Sequence, residues 1–125
     1  MTDQYVYIAQ QGYGYIVNAD SDTLKSLQIL VDGLIECARS REFDCDVWVN
    51  EEGLFREDFY VNTAASTIAN QTLVGPAVLT NVDSEGRTTG ITFAQLLALR
   101  KEGLPLDDND GKGWSVEEAA GWVLV

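Results

Sequence analysis

No histidine occurs anywhere in the chain. The commonest general base and the commonest metal ligand are therefore missing, and Ser-His or Cys-His nucleophilic catalysis is excluded. Cysteine is nearly as scarce, with Cys37 and Cys45 alone present. They form neither a C-x-x-C motif nor a zinc set, and in a cytosolic protein they are expected to remain thiols. Lysine and arginine number 8 against 20 acids, a formal charge of −12. That balance opposes a phosphate backbone or an anionic membrane, so neither direct nucleic-acid binding nor membrane binding is expected. No apolar run approaches the ~18 residues that would span a bilayer. Met1-Thr2-Asp3-Gln4 lacks the basic flank and apolar stretch of a signal peptide. The cytoplasm is the expected location, that of the host if the chain is viral.

What is present belongs to a globular protein. A chain of 125 residues with a hydrophobic fraction of 46% suits one compact α+β domain that folds without a metal or disulfide staple. An acidic loop and C-terminal segment, residues 104–125, are expected to be peripheral to it.

Tyr5-Val6-Tyr7-Ile8-Ala9 and Tyr13-Gly14-Tyr15-Ile16-Val17 read as strands joined through Gln10-Gln11-Gly12. Alternation puts Tyr5, Tyr7 and Ala9 on one face, either as packed cross-strand tyrosines or as an exposed contact surface on an edge hairpin. Leu24, Leu27, Leu30, Val31, Leu34, Ile35 and Ala38 then follow a 3.6-residue period, which predicts a helix over residues 23–39. Gly33 inside that span costs about 1 kcal/mol relative to alanine and marks either close packing or an early helix end. Cys45 to Asn50 reads as the next strand, Asn50-Glu51-Glu52-Gly53 as a turn, and Leu54 to Tyr60 as a returning strand or an irregular segment. Asn62 caps a short helix with Ala65, Ile68 and Ala69 inward, and Ala77 to Val82 forms a further strand. Asp83-Ser84-Glu85-Gly86 is a second turn. Thr92-Phe93-Ala94-Gln95 and Ser115-Val116-Glu117-Glu118 are capping-box patterns, and Trp48, Trp114 and Trp122 are read as core. The fold class that follows is α+β. It has an antiparallel sheet of about four to five strands, the 23–39 amphipathic helix on one face, and shorter helices at the edge.

Two acidic stretches are candidate sites. The turn offers Asn50, Glu51 and Glu52 with Glu57 and Asp58 close behind, a set suited to an arginine-rich protein surface or a divalent cation. Adjacent side chains on extended backbone point opposite ways, which weighs against one shared ion and for a solvated turn. The second stretch, residues 107–118, approaches a calcium loop with Asp107, Asp108, Asp110, Glu117 and Glu118. With Gly111 at the invariant glycine, the first position is Leu106, which cannot ligate. Shifted by one, Lys112 takes the glycine position. Neither register completes the motif.

The order of these signals resembles a family. Leu24 to Glu36 has the form Leu-x-x-Leu-Gln-x-Leu-Val-x-Gly-x-Ile-Glu. It is followed by Val49-Asn50-Glu51-Glu52-Gly53-Leu54, by Asn62-Thr63-Ala64-Ala65-Ser66, and by Val74-Gly75-Pro76-Ala77-Val78. This pattern, over about residues 13–82, is similar to an uncharacterised domain family of tailed bacteriophages and bacterial genomes with a "VNEEG" core. The resemblance implies a phage accessory origin and brings no catalytic residue.

The expected function is non-enzymatic: binding of a host protein with a basic surface through an acidic surface, nucleic-acid mimicry included. The alternatives are a small-ligand or nucleotide-signal sponge, which needs Arg39, Arg41, Arg56 and Arg87 to converge, and a calcium module through residues 107–118. No cofactor is implied, and monomer and homodimer are both open.

Overall fold

A single mixed sheet runs through the molecule, with helices packed on both of its faces. The computed structural model describes residues 3–121. Trp122 and the apolar end of the chain lie outside the described residues. In chain order the elements are β1 (Gln4–Ile8), β2 (Gly14–Asn18), α1 (Thr23–Val31), β3 (Ile35–Ser40) and β4 (Cys45–Asn50). A one-turn 3-10 helix, Gly53–Phe55, precedes α2 (Thr63–Ala69), β5 (Ala77–Val82), β6 (Thr88–Thr89) and α3 (Phe93–Lys101). β7 (Leu106–Asp107), β8 (Trp114–Ser115) and α4 (Val116–Ala120) complete the described chain.

The strand order is β3-β4-β5-β1-β2-β7, with β6 on β5 and β8 on β2. Eight strands among the described residues therefore replace the four to five expected. The additional ones, β6, β7 and β8, are two residues each and too short to leave a periodic signal. β7 and β8 pair with β2 in parallel, so the sheet is antiparallel only elsewhere. The hairpin is not at an edge either. β1 lies between β5 and β2, and the outer side of β2 is held by β7 and β8.

The long helix expected over residues 23–39 is not present. Asp22 caps α1 by accepting from the Lys25 amide at 3.1 Å, and the helix stops at Val31. Asp32 adopts the left-handed conformation at φ 60°, and its amide donates back to Gln28 and Ile29. The next residues form β3, paired with β4 from Ile35↔Asn50 to Ser40↔Cys45. Leu34, Ile35 and Ala38 matched a helical face by spacing, but Ile35 and Ala38 lie on opposite faces of a strand. Leu24 and Leu34, part of the expected inward face, are exposed, whereas Ser26 is buried and accepts from the Asp20 amide at 3.2 Å.

Both faces of the central sheet are covered, although β3 at its edge exposes Glu36, Cys37 and Arg39. On one, Val6, Ile8, Val47, Val49 and Leu79 pack with Ala65 and Ile68 of α2 and Leu99 of α3. On the other, Tyr5, Tyr7, Val17 and Val78 pack with Leu27, Leu30 and Val31 of α1 and Val116 and Ala119 of α4. Burying Leu27 or Leu30 contributes roughly 2 kcal/mol by area. The register carries this alternation across the sheet: Trp48, Val78, Tyr7 and Tyr15 stand in one row. The Tyr7 and Tyr15 rings are 6.2 Å apart, so the tyrosine face is core rather than a contact surface.

Asn62 ties three elements together. Its Oδ1 accepts from the Ala65 amide at 3.1 Å as the α2 cap, and its Nδ2 donates to Ile8 O at 3.1 Å and Gly75 O at 2.9 Å. Gly75, at φ +85°, leaves room for the Phe59 ring, which a β-carbon would meet at 2.7 Å. Cys37 and Cys45 are both free. Cys37 lies on β3 opposite Trp48, not at a helix end, and Cys45 lies opposite Ser40 on the other face of the ladder. No rotamer change brings the two sulfurs together.

Candidate protein-contact surface

The corner that follows β4 is built from side chains that bind the main chain. Asn50 is buried, and its Nδ2 donates to Val31 O and Asp32 O, each at 3.1 Å. Its Oδ1 accepts from the Glu52 amide at 2.7 Å, an Asx turn that starts the corner. The ladder extends one step beyond β4, with the Glu51 amide on Leu34 O at 2.8 Å. The 3-10 turn closes through Phe55 N to Glu52 O at 2.9 Å and Arg56 N to Gly53 O at 3.1 Å.

Arg56 locks this corner to the end of α1. Its Nε and Nη2 grip both oxygens of Asp58 at 2.9 and 2.7 Å, and Nη2 also reaches Asp32 Oδ2 at 2.9 Å. Nη1 donates to Asp32 O at 3.2 Å, and the guanidinium lies 4.2 Å from the Phe59 ring centroid. The Arg56 hydrogen bonds hold Asp58 below the ordinary carboxylate range, and those to Asp58 and Asp32 raise Arg56 further above its own. Gln10 clamps the next stretch, donating to Asp58 O at 3.1 Å and accepting from the Tyr60 amide at 3.0 Å.

This hydrogen-bonded corner presents apolar side chains to solvent. Leu54 is 82% and Phe55 85% exposed, and Leu34 beside Glu51 is 55% exposed. Glu51, Glu52 and Glu57 are exposed around them. Of the residues singled out from sequence, those three present carboxylates. Asn50 does not, since its amide is wholly engaged inside, and Asp58 is bound by Arg56. Leu54 and Phe55 were missed, and Arg56 was weighed only for a nucleotide pocket, not as the brace of this corner. The available signal was a pair of large apolar residues directly after the turn glycine, in a segment with no period that would bury them.

The acids of residues 107–118 serve the loop itself. Asp107 accepts from the Asn109 amide at 2.9 Å and Asp108 from the Gly111 amide at 3.2 Å. Glu118 closes a capping box by accepting from the Ser115 amide at 2.9 Å, and Glu117 lies in the same first turn of α4. Asp110 is exposed in the left-handed region at φ 55°. Among the described residues no three His, Cys, Asp or Glu side chains are grouped to hold a metal ion.

Nor do all four arginines converge: Arg39 and Arg41 line one groove between β3 and α2, and neither Arg56 nor Arg87 is among its lining residues. Arg39 pairs with Asp44 and Asp46, Arg56 with Asp58 and Asp32, and Arg87 with Asp83 and Glu85. No helix among the described residues is long and apolar enough to cross a membrane.

Fold and corner together define a small mixed α+β domain whose most exposed apolar residues, among those described, sit on a braced acidic turn. The chain belongs to the family described as a domain of unknown function, DUF3846, whose model matches residues 1–102. The match reaches from β1 through α3 and is longer than the stretch that carried the resemblance; the family's description names no activity. No curated protein and no solved structure matches the chain.

Proposed function

We propose that this protein is a non-enzymatic binding module that engages a partner protein through the corner formed by Leu34, Leu54 and Phe55 with Glu51, Glu52 and Glu57. The observation that carries this reading is the exposure of Leu54 and Phe55, 82% and 85%, on backbone held by Asn50 and Arg56. Apolar side chains on backbone that is already hydrogen-bonded lose less entropy on contact than those of an unbraced loop, and an aromatic is a frequent anchor of an interface. The surrounding glutamates and the charge of −12 favour a partner that offers an apolar pocket rimmed by lysine or arginine. Such a basic surface is what a nucleic-acid-binding protein carries, so mimicry of a nucleic acid belongs to this reading. So does a role as a phage accessory protein in the cytoplasm of a bacterial host.

The test is affinity capture from bacterial host lysate with the wild type and the Leu54→Ser/Phe55→Ser variant, scored by quantitative mass spectrometry. The expected result is a basic-surfaced protein recovered by the wild type and lost with the variant. Identical recovery by both would refute the corner as the contact. The nucleotide-sponge alternative has less support: Arg39 and Arg41 line one groove, but Arg56 and Arg87 are paired with separate carboxylates and do not line it.

A further inference from the structure

We propose that the groove between α2, the C-terminal end of α3 and the tip of the β1–β2 hairpin binds an extended peptide that carries lysine or arginine beside an apolar residue. The groove encloses 360 Å³, within the range of sites that hold a ligand. Its floor is apolar: Phe43, Ile68 and Leu99 are buried and Leu104 half-buried. Glu42, from the turn between β3 and β4, and Glu102, at the end of α3, supply the charge on its rim. No lysine or arginine is among the residues that line it, and neither glutamate enters an ion pair with a described residue.

α3 carries Arg100 and Lys101 in its last turn, which answer its negative pole, so the charge of the groove rests on Glu42 and Glu102. An apolar floor under two unneutralised carboxylates rejects anions and selects a cation on an apolar stem. Lysine and arginine have that construction, with a hydrocarbon stem to lie on the floor and a charged head to reach the rim. Glu42, Thr63, Thr67, Glu102 and Pro105 are exposed, so the groove opens to solvent and a main chain can enter and leave. The site shares no residue with the Leu54–Phe55 corner and does not depend on it.

The test is a titration of the ¹⁵N-labelled full chain, followed by amide shifts, with an acetylated and amidated alanine-leucine-arginine-alanine peptide. Saturable shifts confined to the groove are expected, on the α2 wall, Glu42–Phe43, Gly12 and the Leu99–Leu104 turn. Glu42→Gln/Glu102→Gln should weaken binding about tenfold, and added salt should weaken it further. Leu54→Ser/Phe55→Ser should leave the affinity unchanged, which separates this site from the corner. The same peptide with glutamate in place of arginine should not bind. Equal binding of that peptide, shifts spread over other surfaces, or no saturation at millimolar concentration would each overturn the proposal. Hexylammonium binding as tightly as the arginine peptide would assign the groove to small amines and overturn it as well.

Discussion

A β-carbon placed on Gly33 would lie 2.6 Å from the Nδ2 atom of Asn50. The glycine that follows α1 and the asparagine that ends β4 are thus fitted to each other, 17 positions apart in sequence (50 − 33). Asn50 uses that nitrogen to hold Val31 O and Asp32 O, the carbonyls freed where α1 stops. Gly33→Ala should therefore destabilise by about 2 kcal/mol, from backbone strain and displacement of the amide. Asn50→Asp, which turns an acceptor toward two carbonyls, should cost about 3 kcal/mol. Urea denaturation checks both, and unchanged midpoints would disprove the coupling.

The Tyr7 hydroxyl is buried without a hydrogen-bond partner among the described residues, and burial pushes its pKa well up. Removing an unsatisfied polar atom relieves its desolvation cost. Tyr7→Phe is therefore expected to stabilise the protein by about 1 kcal/mol, read as a rise in the thermal midpoint. A fall of that size would mean that the hydroxyl is satisfied after all.

Asp58 titrates below the ordinary carboxylate range because of Arg56. A depressed folded value contributes stability above the unfolded pKa, and that contribution disappears as pH falls through the folded value. The pair should accordingly hold the corner at neutral pH and release it only in acid. Carboxyl NMR should show the Asp58 midpoint returning to the ordinary range in Arg56→Gln. An unmoved midpoint would remove Arg56 as the cause.

Cys37 is exposed, yet its thiol is pushed up to about 11, chiefly by desolvation and then by the Asp46 carboxylate. Burial pushes the buried Cys45 up to about 12. Since the thiolate is the reactive form, Cys37 should be alkylated slowly by iodoacetamide at pH 8, with a rate still climbing above pH 10. Cys45 should react only on unfolding. Mass spectrometry of the native and urea-denatured protein distinguishes the two sites, and rapid native labelling at pH 8 would contradict both values.

Much of the fold was legible where local chemistry and pattern agreed. The Asn62 cap, the inward Ala65, Ile68 and Ala69, the two capping boxes and the strands at Cys45–Asn50 and Ala77–Val82 all follow from residues within a few positions of each other. The helix over residues 23–39 failed because leucine and isoleucine spacing cannot register a partner strand. The ladder to β4 and the Asn50 amide capture residues 33–40 for the sheet, and Gly33 was the only local sign of it. At the site, the acidic ring was legible as composition. The outward pose of Leu54 and Phe55 was not, because it depends on Arg56 reaching Asp32 across 24 positions (56 − 32).

The sequence by itself determined the class of fold, most element starts, the absence of histidine chemistry and the acidic surface, since each depends on residue type or short spacing. Tertiary structure alone decided the placement of β1 at the centre of the sheet, the covering of both faces, the short parallel strands on β2, and the braced corner after β4. Each of these rests on backbone pairing or a side-chain hydrogen bond between distant segments. Such contacts compete with local propensity and leave no period in the chain.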